Sequence, residues 1–189
     1  MSFLIEIYNT NDNDDDGPSE RQYILYRKST RDLSEKEKMR FVNIVNEKYI
    51  LGITFPDISY QKDGNPPDNF PKNGEIWWIE DKKSNNELVA FVIINFNFVT
   101  VLTSLETGIY ISDVYTAMNY RRKGFAEYII KLIFEKWNED MFLEVLINNE
   151  KAIKLYEKLK FIKIGQYEDK GYGVVALMKH AKSYESLYD

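Results

Sequence analysis

The stretch Arg121-Arg122-Lys123-Gly124-Phe125-Ala126 separates two segments with different apolar rhythms. Residues 108–116 before it read as a strand. Residues 124–138 after it carry Phe125, Ile129, Leu132, Ile133 and Trp137 at helical spacing. The six residues are therefore a basic turn leading into a helix. A helix start offers unpaired N–H groups and a partial positive charge, and a glycine there lets the backbone come close to an anion. Three successive cations add attraction, which together suits a pyrophosphate. A basic cluster before a helix can equally be a solvated surface, and these residues alone leave the two readings level. The chain has no G-x-x-x-x-G-K-[ST] and no G-x-G-x-x-G, so neither a nucleoside triphosphate nor a nicotinamide dinucleotide site is indicated.

Working outward, residues 142–147 read as a short buried strand. Residues 150–159 form a second helix, with Ala152, Leu155, Tyr156 and Leu159 on one face. Residues 161–167 and 174–179 suggest a closing hairpin around Gly171 and Gly173. Upstream, residues 75–80 and 88–98 pair across the turn 82–86, and residues 3–8 and 22–27 read as further strands. Residues 33–49 form a helix opened by the S-x-x-E pattern of Ser34 and Glu37. Residues 52–74 hold four of the five prolines and form a long irregular segment, the kind that is often functional. Strands outnumber helices and use both hairpin and crossover connections. The expected fold is of the α/β (α+β) class, a mixed sheet with helices packed on it.

The 189 residues fit one domain, with an acidic flexible loop at 11–18 and a loose tail at 181–189. The net charge of −5 argues against nucleic acid or anionic membrane as a partner and favours a cationic small molecule. No run of about 18 apolar residues is present, and the first residues lack a basic region, so a cytoplasmic protein without a membrane span is expected. The absence of cysteine excludes disulfides, thiolate metal ligands and a thiol nucleophile within this chain. No metal site is expected. A monomer and a homodimer are equally compatible with the sequence.

The basic turn resembles the [Arg/Gln]-x-x-Gly-x-[Gly/Ala] signature of the GCN5-related N-acetyltransferases, matched by Arg121, Gly124 and Ala126. Asp113-Val114-Tyr115-Thr116 is similar to the strand that precedes it in that family, with Thr116 where Val is common and Met118 where Pro is common. A second motif follows: Val145, then Asn149-Glu150-Lys151-Ala152, Leu155-Tyr156-Glu157-Lys158 and Phe161. Lys160 stands where the family carries a helix-ending Gly. Residues 26–32 are similar to the family's first strand and turn.

The resemblance implies a largely antiparallel twisted sheet with helices on both faces, splayed between strands 108–116 and 142–147 at the acyl-CoA site. It implies acetyl-CoA as cofactor, with Val114, Tyr115 and Thr116 pairing with the pantetheine arm. Arg121, Arg122, Lys123, Gly124, Phe125 and Ala126 would hold the pyrophosphate, and Asn149 would lie near the arm. Tyr156 is similar to the family's general acid. Direct transfer to a primary amine in a ternary complex is then the expected chemistry, with a small amine, polyamine or amino sugar as acceptor. A protein N-terminal or lysine acetyltransferase and a non-catalytic acyl-CoA-binding module are the alternatives. For the general base, Asp113 is the carboxylate best placed in sequence and Glu144 a second candidate. The lone His180 is expected to be structural. Trp77, Trp78, Tyr110 and Tyr172 are candidates for an acceptor pocket, although strand aromatics more often form core.

Overall fold

Strands β1 (Ile5–Ile7), β2 (Tyr23–Ser29), β3 (Gly74–Asp81), β4 (Glu87–Val99) and β5 (Thr107–Thr116) follow one another as an antiparallel meander, interrupted by helix α1 (Glu35–Ile50). Helix α2 (Phe125–Lys136) then crosses over to β6 (Met141–Leu146), which runs parallel to β5. Helix α3 (Glu150–Lys158) leads to the hairpin of β7 (Ile162–Asp169) and β8 (Gly173–His180). The eight strands form one sheet in the order β1-β2-β3-β4-β5-β6-β8-β7. This computed structural model describes residues 5–7, 22–50, 72–99, 107–169 and 173–182. The acidic loop 11–18, most of the irregular segment 52–74, Tyr172 and most of the tail 181–189 lie outside the described residues.

Strand alternation divides the core between the two faces. On one side Phe41 and Val42 of α1 pack on Leu33, Ile76, Trp78, Phe91 and Ile93. On the other, Phe125, Ile129, Ile130 and Ile133 of α2 and Tyr156 of α3 pack on Trp77, Val92, Ile94, Ile111 and Val145. The expected mixed sheet with helices on both faces is what forms. The capping box at α1 is reciprocal: the Ser34 N–H donates to Glu37 Oε2 (2.7 Å), and the Glu37 N–H donates to Ser34 Oγ (3.3 Å).

Trp77 and Trp78 are committed to this packing. Their indole N–H groups donate to the buried carboxylates of Glu75 (3.0 Å) and Glu80 (3.1 Å). Glu75 also receives both arms of Arg27, at 2.9 and 2.6 Å. A bidentate partner of this kind offsets much of the cost of burying the charge.

The feature that positions the site is the seam between β5 and β6. The two strands pair at Ile109–Met141 and Tyr110–Phe142 and no further. Gly108 makes the start of the seam possible, since a Cβ there would lie 2.2 Å from the Asp140 carbonyl oxygen. Immediately beyond, Ser112 is an extra residue in β5: Ile94 opposes Ile111 while Ile93 opposes Asp113. A bulge increases local twist and bends its strand. Here it coincides with the parting of β5 from β6.

Candidate active site

The parted strands open a cavity of about 760 Å³. Its walls come from β5, the basic turn, the first turn of α2, β6 and α3. Of the residues singled out in the sequence, Asp113, Val114, Thr116, Arg121, Arg122, Lys123, Gly124, Phe125, Ala126, Asn149 and Tyr156 all line it. Tyr115 does not: its ring stacks on Phe91 at 5.3 Å, on the α1 side of the sheet. Strand alternation turns that side chain away from the cavity, leaving only its backbone on the cavity strand.

The basic turn is held open. Gly124 is the N-cap of α2 with φ +85°, and no side chain caps the helix. A Cβ at Gly124 would meet nothing within 4 Å, so the approach to the first-turn N–H groups is unobstructed. Arg122 also adopts positive φ (67°), and left-handed residues on both sides of Lys123 suit a concave array of N–H groups. Arg121 has a structural part as well. Its Nε donates to the Thr116 carbonyl (3.1 Å), tying the turn to the end of β5. Behind the turn, the Tyr120 hydroxyl lies 2.9 Å from Asp81 Oδ2 and 3.0 Å from Glu87 Oε2. A hydrogen bond with Ser84 pulls this phenol down, but burial and the two carboxylates outweigh it and leave its pKa at about 12. This anchor joins residues far apart in the chain and had no signal in the sequence.

Helix α3 is built differently. The Asn149 side chain accepts the Ala152 N–H (3.3 Å), so this helix supplies its own cap. At the other end the Lys160 N–H bonds the Glu157 carbonyl and the Phe161 N–H bonds the Tyr156 carbonyl, at 3.0 and 2.9 Å. These are the two bonds of a Schellman motif, whose left-handed residue is Lys160 at φ 66°. The missing glycine therefore leaves the ending intact, at the cost of a strained lysine. The motif's apolar contact is Phe161 against Tyr156, edge-on at 5.8 Å. The same helix ending thus fixes the Tyr156 ring. His180 reinforces it: its Nδ1 lies 3.0 Å from the Leu159 carbonyl and its ring stacks on Phe134 at 4.0 Å.

Tyr156 is buried, and its pKa is pushed well above the usual tyrosine value, first by burial and then by the charge of Asp113. The hydroxyl keeps its proton throughout the physiological range. Asp113 is itself buried. Opposite the basic turn, Tyr110 donates to Glu144 Oε2 across the seam (3.2 Å), and both residues line the cavity. The cavity is therefore bipolar. Arg121, Arg122, Lys123, Lys151, Lys154 and Lys158 stand on the walls made by the turn and α3, where Glu127 of α2 is paired with Lys158 (2.6 Å) and Lys131 (2.9 Å), while Asp113 and Glu144 lie on the two strands.

The structure is similar to an Arabidopsis thaliana NAA60 solved with acetyl-CoA, at a TM-score of 0.58 and 16% identity, over 82% of this chain and 97% of that one. It is also similar to the spermidine/spermine N-acetyltransferase SpeG of Vibrio cholerae solved with manganese ions, at a TM-score of 0.52 and 18% identity, over 84% of this chain and 92% of that one. At these identities the likeness establishes the fold. No curated protein sequence matches. The family model described as Acetyltransferase (GNAT) family matches residues 40–161, well over half of the 189 residues and including the seam, the basic turn and α3, and the chain belongs to that family.

Proposed function

We propose that the chain transfers an acetyl group from acetyl-CoA directly to a primary amine bound in the same complex. The observation that carries this reading is the bipolar cavity in the parted seam. The residues fit the cofactor. An uncapped helix start with an open glycine and adjacent cations matches a pyrophosphate, and a strand edge freed of its neighbour beyond Tyr110 can pair with an amide-bearing arm. Bound acetyl-CoA supplies an activated thioester.

The chain's own groups do the rest. The α2 amides and Arg122 and Lys123 hold the diphosphate end. Tyr156 presents a protonated hydroxyl to the departing sulfur, and the buried Asp113 charge keeps that proton in place until it is needed. We assign Asp113 this supporting part rather than contact with the amine. With no cysteine in the chain, an acyl-thiol intermediate on this protein is excluded, which supports direct transfer. The carboxylates on the strands favour a cationic acceptor such as a small amine, polyamine or amino sugar.

The test is Tyr156→Phe, which keeps the ring and its contact with Phe161 and removes the proton. CoA affinity is expected to stay within about twofold, while the single-turnover transfer rate falls by about one to three orders of magnitude. A wild-type rate would make Tyr156 a packing residue only.

A further inference from the structure

The basic turn is braced from behind by the β3–β4 hairpin, and one side chain makes the connection. Tyr120, the residue before the turn, is 6% exposed. Its ring contacts the turn at two points. The Lys123 ammonium lies 5.2 Å from the ring centroid, and Phe125, the first residue of α2, meets the ring edge-on at 6.2 Å. Tyr23 of β2 closes a third side at 6.5 Å. The hydroxyl leaves the turn and reaches Asp81 Oδ2 (2.9 Å) and Glu87 Oε2 (3.0 Å), the last residue of β3 and the first of β4. Asp81 is a prepared acceptor. Burial pushes its carboxyl up, but hydrogen bonds from Gln22, Tyr120, the Lys83 N–H and Ser84 outweigh burial and hold it below the usual aspartate value. A phenol donating to an ionised carboxylate makes a charge-assisted bond, stronger than a neutral one.

The turn needs such a tie. Arg122 adopts φ 67° without being a glycine, and a residue in that region persists only where its surroundings over-determine it. The N–H array of the turn serves an anion only while it keeps this shape, and a loop already in its bound shape loses less freedom on binding. We infer that the β3–β4 hairpin sets the affinity for the cofactor's diphosphate by holding the turn in shape through the Tyr120 hydroxyl. This rests on the reading above that places the diphosphate at that turn. Tyr120 is then a positioning residue, acting through the backbone of residues 121–126 while its hydroxyl is engaged by the hairpin. Tyr156 is held separately, by the main-chain ending of α3 and by Phe161. The hairpin therefore acts on cofactor binding and leaves the transfer step alone.

The test is Tyr120→Phe, which keeps the ring and removes the hydroxyl, while Asp81 retains Gln22, Lys83 and Ser84 as donors. CoA affinity is measured by calorimetry. Transfer is measured from acetyl-CoA to the best acceptor among putrescine, glucosamine and a tripeptide with a free N-terminus. It is then measured to the same acceptor from S-acetylpantetheine, a thioester that has the arm but no diphosphate. CoA binding is expected to weaken about five- to twentyfold, with a comparable rise in KM for acetyl-CoA. The kcat at saturation and the kcat/KM for acetylpantetheine should both stay within about twofold of wild type. A general role in the fold would lower transfer from both thioesters alike. That result, or unchanged CoA affinity, would overturn the inference. If Tyr120→Phe does not fold, Glu87→Ala, at an exposed position, decides: CoA binding about threefold weaker is expected, and unchanged binding is the contrary result. Wild-type protein that binds CoA but transfers from neither thioester would overturn the transferase reading, and the calorimetric comparison would still decide this one.

Discussion

Two helices begin at the same cavity, and they begin in opposite ways. Helix α3 spends the Asn149 side chain on its own Ala152 N–H. Helix α2 has no side-chain cap, and its N-cap glycine, at φ +85°, leaves open space in front of its amides. A capped start is complete in itself, whereas an uncapped, unobstructed start among cations has donors left for an anion. On the reading proposed above, the diphosphate belongs at α2 rather than α3, because α2 is the start with donors left over.

The comparison breaks most sharply at Gly124. Gly124→Asp puts a side chain and a negative charge into the open approach. It should weaken CoA binding at least about tenfold, or about 1.4 kcal/mol, by calorimetry. Unchanged affinity in a folded variant would remove the anion from this turn.

The opposite signature belongs to α3. Asn149→Ala should lower stability by about 1 kcal/mol in urea titration, the usual worth of an N-cap, and change CoA affinity less than Gly124→Asp does. An affinity loss as large as that of Gly124→Asp, with stability intact, would mean that Asn149 is chiefly a ligand contact.

The smallest effect lies at the far end of α3. Lys160→Gly relieves the left-handed lysine, although glycine gains freedom in the unfolded chain. A net gain of about 0.5–1 kcal/mol is expected, with turnover unchanged, because the hydrogen bonds that hold Tyr156 are main-chain. A loss of stability would show that the Lys160 side chain makes a contact worth more than the strain.

The parts of this site that sequence could reveal are the local ones. The turn at Arg121–Ala126, the reciprocal cap of Ser34 and Glu37, and the apolar faces of α2 and α3 each depend on residues within one or two helical turns. The resemblance added the order of motifs and drew attention to Tyr156. What stayed hidden depends on strand register. The Tyr110–Glu144 and Tyr120–Asp81 pairs join residues 34 and 39 positions apart. No composition rule announces the extra residue at Ser112 that coincides with the parting of the seam. Tyr115 shows the same limit from the other side: its backbone sits on the cavity strand, but alternation sends its ring to Phe91. The Lys160 departure was visible in the sequence, whereas its outcome, a complete Schellman ending around a strained lysine, was not.

Amide chemical-shift mapping during a CoA titration reads the two helix starts in one experiment. The largest shifts are expected on the amides of residues 122–127, exceeding that of Ala152, whose N–H is already engaged by Asn149. Saturable CoA binding that leaves residues 122–127 silent would contradict this expectation.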